Sequence, residues 1–398
     1  MNTTMRIVSA YAELHKKRAF RRALIATVAS AAIGCLGSGL AFAQQVSSAN
    51  GVTVLQAQAT IGSNSLASAQ AAPIPANATT PNFNSEMIQA LTAAPEAGPS
   101  GGEVGSAGAG GGLNPLSVDA PAVSGGGVAP ADFGTSNQPF TSVRADLFSE
   151  NTNTTYPYRA AGILTFCNGC SDGNNNYYCT ASTIKPGVIV AAAHCVADFG
   201  EKKFYSNWKF YPAYRDSVAP YGVFGVKTAV ILTAYFNGTD PCYQKGVVCQ
   251  DDISVLVLDS NIGNTIGWFG YWYGGGFTSS GLEEITQLGY PSGLDHGLYM
   301  ERNDSYAYLS STQSNNHIIG TNFNGGSSGG PWVANFGLPA ALTGETDGSF
   351  PQQNTVVGVT SWVYINVAIK QEGASSFTSG NIAVILGAAC KIYPSSCS

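Results

Sequence analysis

The 398-residue chain is short of charge, and what charge it has is unevenly spread. Only 11% of its residues are Asp, Glu, Lys or Arg, and no Lys or Arg occurs between Arg22 and Arg144. The net charge of −6 argues against a nucleic-acid partner, which calls for a basic face. Apart from residues 381–389, no long stretch carries apolar residues at the 3.6-residue period of a packed helix, which excludes a helical bundle. Cys167 and Cys170 have no second closely spaced cysteine pair to complete a zinc site, and Asp172, Asn174 and Asn176 do not follow the spacing of a calcium loop. No metal or other cofactor is expected. Histidine is scarce: four in all, of which His194, His296 and His317 fall after residue 156.

The sequence falls into three textures. A basic cluster (Lys16, Lys17, Arg18, Arg21, Arg22) precedes a small-residue apolar run over 23–40 and the A-x-A pattern Ala41-Phe42-Ala43, the layout of a secretory signal peptide over 1–43. Ala32-Ile33-Gly34-Cys35 is a loose lipoprotein box that would tether the chain through Cys35; it lacks the usual leucine, so cleavage after Ala43 is preferred. The chain is thus expected to be secreted or periplasmic, with no membrane span after processing. Residues 44–143 are rich in Ala, Gly, Ser, Pro and Asn and are expected to be disordered, as a spacer or a removable pro-segment. Arg144 and Arg159 are then the first sites open to a protease that cuts after basic residues.

From about residue 156 short apolar, β-branched runs (161–166, 188–192, 230–233, 253–258, 356–361, 366–369) alternate with Gly, Asn, Asp and Pro clusters. That texture indicates an all-β barrel or sandwich. Eight of the nine cysteines lie after residue 166, an even number suited to an oxidised, exported domain.

Four short stretches carry chemistry. Gly325-Gly326-Ser327-Ser328-Gly329-Gly330-Pro331 sets two serines between glycines, as a tight turn exposing a nucleophilic hydroxyl requires. Ala191-Ala192-Ala193-His194-Cys195 offers a base, with Cys179-Thr180-Ala181-Ser182-Thr183-Ile184 upstream. Asp251-Asp252-Ile253-Ser254-Val255-Leu256-Val257-Leu258 offers an orienting carboxylate ahead of a strand, and Gly358-Val359-Thr360-Ser361-Trp362 a further strand. Together and in this order, with His and Asp 58 apart (252 − 194) and Asp and Ser 76 apart (328 − 252), they resemble the chymotrypsin-like (trypsin-fold) serine peptidases. The likeness extends over about 156–398 and is nearest the bacterial V8-like, glutamyl-endopeptidase branch.

The resemblance implies two antiparallel six-stranded β-barrels in a domain over 144–398, the first over about 156–262 and the second over about 263–398, followed by a short C-terminal helix. It implies Ser328 as nucleophile, His194 as base, Asp252 rather than Asp251 as the orienting carboxylate, and the backbone N–H groups of Gly326 and Ser328 as oxyanion hole. It places Asn322, Phe323, Thr360, Ser361, Trp362 and Val363 around the substrate side chain. Asn322 stands where trypsin-like members keep a pocket acid, and the Val359–Trp362 stretch lacks the histidine of glutamate-specific members. With no acid near, a small or medium apolar P1 residue is expected. The implied activity is a secreted, monomeric serine endopeptidase acting on protein or peptide; the alternative is an inactive, protease-like binding or adhesive domain on a flexible stalk. A Cys179–Cys195 disulfide would pin the His194 loop, with Cys242–Cys249, Cys390–Cys397 and Cys167–Cys170 pairing by proximity. His296 and His317 are read as structural. Ser327 stands where trypsin-like members have an aspartate that pairs with a freed N-terminus, and nothing like Ile-Val-Gly-Gly begins near residue 156. That switch is therefore expected to be absent.

Overall fold

Twelve strands of the computed structural model close into two barrels, and the apolar runs at 161–166, 188–192, 230–233, 253–258 and 356–361 fall on them. The run at 366–369 is instead a turn closed by the Ile369 N–H donating to the Asn366 carbonyl, its apolar character explained by the burial of Ile369. The structure describes residues 45–57, 66, 69–74, 76–77, 100–110, 116–117, 133–147, 149–170, 174–240, 251–274, 283–309, 316–337, 352–364 and 366–398. The first barrel consists of β1 (Ala161–Cys167), β2 (Tyr177–Lys185), β3 (Val188–Ala191), β4 (Ser206–Pro212), β5 (Phe224–Leu232) and β6 (Ser254–Leu258). Its strands pair in the closed order β1-β2-β3-β6-β5-β4. The second barrel consists of β7 (Glu283–Gly289), β8 (Glu301–Leu309), β9 (Asn316–Gly320), β10 (Pro331–Ala334), β11 (Thr355–Tyr364) and β12 (Gln371–Ser376). It repeats the connectivity as β7-β8-β9-β12-β11-β10.

Strand β6 shows why an uninterrupted apolar run is needed here. Successive side chains point to opposite faces of a strand. Leu256 and Leu258 accordingly join the core that holds Leu164, Ile189, Trp208 and Phe210. Val255 and Val257 join the core that also takes Leu288, Val333 and Val359 of the second barrel. A strand buried on both faces reads as a continuous hydrophobic run rather than an alternation. Ile285, Ile319, Trp332 and Val357 fill the second barrel.

The C-terminal helix (Ile382–Ile392) buries Ile382, Ile385, Leu386 and Ala389, the i, i+3, i+4, i+7 stripe of a helix laid on a core. Asn381 caps it, its side chain accepting the N–H of Ile382. No helix among the described residues is long and apolar enough to cross a membrane.

One expectation needs correcting. Residues 44–143 are not uniformly without structure: Gln45–Ala49 and Val52–Gln56 form a hairpin whose second strand pairs with β5. Gln70–Ala71 pairs with β2, Ala76–Asn77 with β11, Gly101–Glu103 with Gly270–Tyr273, Leu116–Ser117 with Val218–Ala219, and Phe140–Arg144 with β8. Composition measures whether the segment could build a core of its own, whereas these pieces pair their main chain with strand edges and bury single side chains such as Val52, Leu55 and Leu66 in the cores of the barrels. Arg144 and Arg159 are likewise part of the fold. Arg144 pairs opposite Glu301 and bonds Asp146, while the buried guanidinium of Arg159 donates to the carbonyls of Ile266 and Ala107. Neither is an open processing site.

Candidate active site

The register of two neighbouring strands brings the first two candidates together. β3 and β6 run antiparallel with Ala191 opposite Ser254, so His194, three residues past Ala191, and Asp252, two before Ser254, meet at one end of the barrel. The Ser254 hydroxyl bridges the carbonyls of Ala191 and Ala192 at 3.1 and 3.0 Å and holds the two chain ends together. Asp252 is buried. Its Oδ1 accepts the backbone N–H of His194 at 2.9 Å, its Oδ2 lies 2.8 Å from His194 Nδ1, and the Ser361 hydroxyl donates to Oδ2 at 2.6 Å. This leaves Nε2 of His194 as the ring nitrogen that Asp252 does not engage. Asp251 points elsewhere; burial, then the nearby Asp240 charge, push its carboxyl up to about 7.

The Cys179–Cys195 disulfide (Cα–Cα 6.3 Å) locks the histidine turn to β2. Cys179, His194 and Cys195 lie close enough together to suggest a metal site, but sulfurs joined to each other are not available as thiolate ligands. Cys167–Cys170 and Cys390–Cys397 also form; the expected Cys242–Cys249 pair lies outside the described residues.

Ser328 sits on the turn between β9 and β10. Two glycines make that turn possible. Gly326 has φ +97° and Gly329 φ +77°, and a Cβ on either would come within 2.4 Å of the Tyr290 carbonyl or 2.5 Å of the Thr180 carbonyl. Thr180 ties the turn to the first barrel: its N–H donates to the Ser328 carbonyl at 2.8 Å and its hydroxyl to the Gly326 carbonyl at 2.8 Å. On the other side Gly329 N–H donates to the Thr360 carbonyl at 2.8 Å. Among the described residues, neither Ser328 Oγ nor His194 Nε2 has a hydrogen-bond partner, although both are buried. The N–H groups of Gly326 and Ser328 donate to no protein acceptor among the described residues. Buried polar groups without partners are uncommon in a folded chain, and here the Ser328 hydroxyl, His194 Nε2 and the N–H groups of Gly326 and Ser328 all lack one among the described residues.

The residues expected around the substrate divide. Phe323 is buried beside Gly289, and Val363 is half-buried. Asn322 Oδ1 is buried without a partner among the described residues. The hydroxyls of Thr360 and Ser361 are committed elsewhere, Thr360 accepting from Gln287 and Trp332 and Ser361 donating to Asp252. Trp362 is buried and donates to Asn316. His317 is buried on β9 with Nδ1 2.6 Å from Ser376 Oγ, and His296 is exposed in a turn.

Sequence reasoning missed Glu372. It finds no acid near the pocket, yet Glu372 on β12 is fully buried, opposite Val363 in register, with Oε1 3.0 Å from Ser327 Oγ and Oε2 accepting from Gln287 Nε2 at 2.5 Å. Burial raises its carboxyl to about 8 against the opposing pull of those two hydrogen bonds. The Ser327 hydroxyl lies 2.6 Å from the Asn324 carbonyl. A neutral Glu372 satisfies the whole group: it donates to Ser327, which donates to Asn324. A carboxyl therefore does occupy the neighbourhood of Ser327, but it comes from β12. Glu372 lies 44 positions past Ser328 (372 − 328), and a lone glutamate in a polar-looking stretch carries no local signal for this contact.

The chain is 29% identical over 227 residues to the glutamyl endopeptidase of Bacillus licheniformis, covering 54% of this chain and 64% of that protein. It is 28% identical over 123 residues to a protein of Bacillus subtilis named extracellular metalloprotease, covering 30% and 35%. The chain thus spans less than two thirds of the length of either relative. Among solved structures, a Glu endopeptidase gives a TM-score of 0.46 at 21% identity (62% of this chain, 95% of that one). The protease Anisep of Arthrobacter nicotinovorans gives 0.42 at 19% identity (60% and 96%). The trypsin family profile matches residues 165–378, more than half of the chain and the whole span from β1 to β12 apart from the first residues of β1. The chain belongs to the trypsin family, near its V8-like branch.

Proposed function

We propose that the chain is an exported serine endopeptidase acting through His194, Asp252 and Ser328. The observation that carries this reading is the pairing of His194 Nδ1 with buried Asp252 beside an unpartnered Nε2 and an unpartnered Ser328 Oγ. Ser328 Oγ attacks the peptide carbonyl and gives its proton to His194 Nε2. Asp252 holds the ring in the tautomer that has Nε2 free and stabilises the imidazolium that forms. The N–H groups of Gly326 and Ser328 take the negative charge of the tetrahedral oxygen. His194 then protonates the leaving amine, and water resolves the acyl-enzyme with His194 as base. Disulfides among the described residues support maturation in an oxidising compartment.

The relative's name, glutamyl endopeptidase, describes that protein. In this chain a P1 glutamate would approach Phe323, Thr360 and the Glu372 carboxyl, with no cation among these residues to receive it. An uncharged P1 side chain is the better match.

A fluorophosphonate probe tests the reaction. The folded chain, freed of residues ahead of the catalytic domain, is expected to be labelled at Ser328, with Ser328→Ala dark and peptide hydrolysis lost in parallel. Absence of labelling, or equal labelling of Ser328→Ala, would favour the protease-like binding domain instead.

A further inference from the structure

The stretch over residues 66–77 attaches to both barrels on either side of the candidate nucleophile. Gln70 and Ala71 pair in parallel with Tyr177 and Tyr178 of β2. The N–H of Gln70 donates to the Asn176 carbonyl at 3.0 Å and that of Ala72 to the Tyr178 carbonyl at 2.8 Å. Two residues beyond Tyr178 is Thr180, whose N–H holds the Ser328 carbonyl. At the far end, Ala76 and Asn77 pair in parallel with Val363 and Tyr364 of β11, just past Ser361, which bonds Asp252. The two anchors thus lie one on each barrel, with Ala72 and Ala76 four positions apart (76 − 72). The carbonyl of Ala72 stands 3.2 Å from where a Cβ on Gly325 would lie. Ala72 and Pro73 share with His194 and Tyr177 the wall of a cavity of about 270 Å³. Leu66 and Ala69 are buried in the core that also contains Tyr178.

The segment is built to sit there. From Leu66 to Asn77 it has no charged residue, and it contains Pro73 and Pro75, which favour an extended backbone. Main-chain pairing to an exposed strand edge is a general way to hold an extended peptide. Among the described residues, no carbonyl of the segment accepts from the N–H groups of Gly326 or Ser328. The segment therefore lies beside the Ser328 turn and His194 without offering a peptide carbonyl to the N–H groups of Gly326 and Ser328.

We propose that residues 66–77 are a built-in ligand of the cleft, an uncharged Ala/Pro-rich peptide bound in parallel to the edges of β2 and β11, and that substrate enters only after it leaves. This rests on the serine endopeptidase reading. The stretch thus acts as an inhibitor that the enzyme carries and does not cut.

The test compares fluorophosphonate labelling of the exported chain, still carrying residues 66–77, with that of Gln70→Pro and Ala72→Pro. Each variant removes one N–H that holds the segment to β2 and leaves His194, Asp252 and Ser328 untouched. The labelling rate is expected to rise about tenfold or more, the scale of one lost hydrogen bond plus the misfit of a proline. A synthetic peptide of residues 66–77, added in excess, is expected to slow labelling again and to be recovered whole by mass spectrometry. Hydrogen exchange provides a readout on the unmodified chain: the Gln70 and Ala72 amides are expected to be protected. Equal labelling of all chains with Ser328→Ala dark, or unprotected Gln70 and Ala72 amides, overturns the built-in ligand and leaves the peptidase standing. No labelling in any of them overturns both.

Discussion

Replacing Glu372 by glutamine should make the protein more stable at neutral pH and leave it nearly unchanged in acid. Glu372 is fully buried and its carboxyl is raised from 4.5 to about 8. Between these two values the folded chain keeps a proton that the unfolded chain has released. The contribution to stability is thus fully present below about pH 4.5 and is lost as pH rises toward 8. At pH 7 the gap is about 2.5 units, which at about 1.4 kcal/mol per unit amounts to roughly 3 kcal/mol. Glutamine has no proton to release. Its amide reproduces the bonding of the neutral acid, donating toward Ser327 Oγ and accepting from Gln287 Nε2. Urea unfolding of wild type and Glu372→Gln, run with disulfides intact from pH 4 to pH 9, should give curves that coincide in acid and separate by roughly 3 kcal/mol at pH 7. Asp251 and Glu301, also raised by burial to about 7 and about 8, contribute equally to both proteins and cancel in the difference. Parallel curves, or a difference between variant and wild type that does not grow as pH rises, would refute the neutral buried carboxyl and with it the hydrogen-bond order at Ser327.

Three further outcomes follow from the same geometry. Asp252→Asn should lower kcat by about 10⁴-fold with little change in KM, because the wrong histidine tautomer is then favoured; a loss under tenfold would remove Asp252 from its role. Thr180→Val deletes the hydroxyl that donates to the Gly326 carbonyl and accepts the Tyr290 N–H. It should cost roughly 2–4 kcal/mol in chemical unfolding, since two buried groups lose their partner, and should slow acylation. Replacing Cys179 and Cys195 by alanine opens a crosslink of sequence separation 16; a loss of about 3 kcal/mol is expected in oxidised protein, and reductant should erase most of the difference from wild type.

Much of the barrel architecture is legible along the chain because a strand buried on both faces needs an unbroken apolar run. The 253–258 stretch is such a run and became β6. The candidates His194, Asp252 and Ser328 stand out in the sequence for a related reason. Each lies in a local pattern that its own backbone demands: small residues before the histidine, an acid just ahead of a strand, glycines at the positive-φ positions about the serine. Those demands are local, so sequence expresses them locally.

What the tertiary structure decided depends on contacts between distant segments. The resemblance favours Asp252 over its neighbour Asp251, but the physical ground for that choice is the β3–β6 register, which sets Asp252 and not Asp251 against His194. Glu372 reaches Ser327 because β12 pairs beside β11, a closure made by barrel topology and not by spacing. The N-terminal pieces are the clearest case. Their composition signals an inability to form a core of their own, and that remains true of them as isolated chain. Order comes to them from outside, when the edges of β2, β5 and β11 supply hydrogen-bond partners to a backbone that has no periodicity to advertise it.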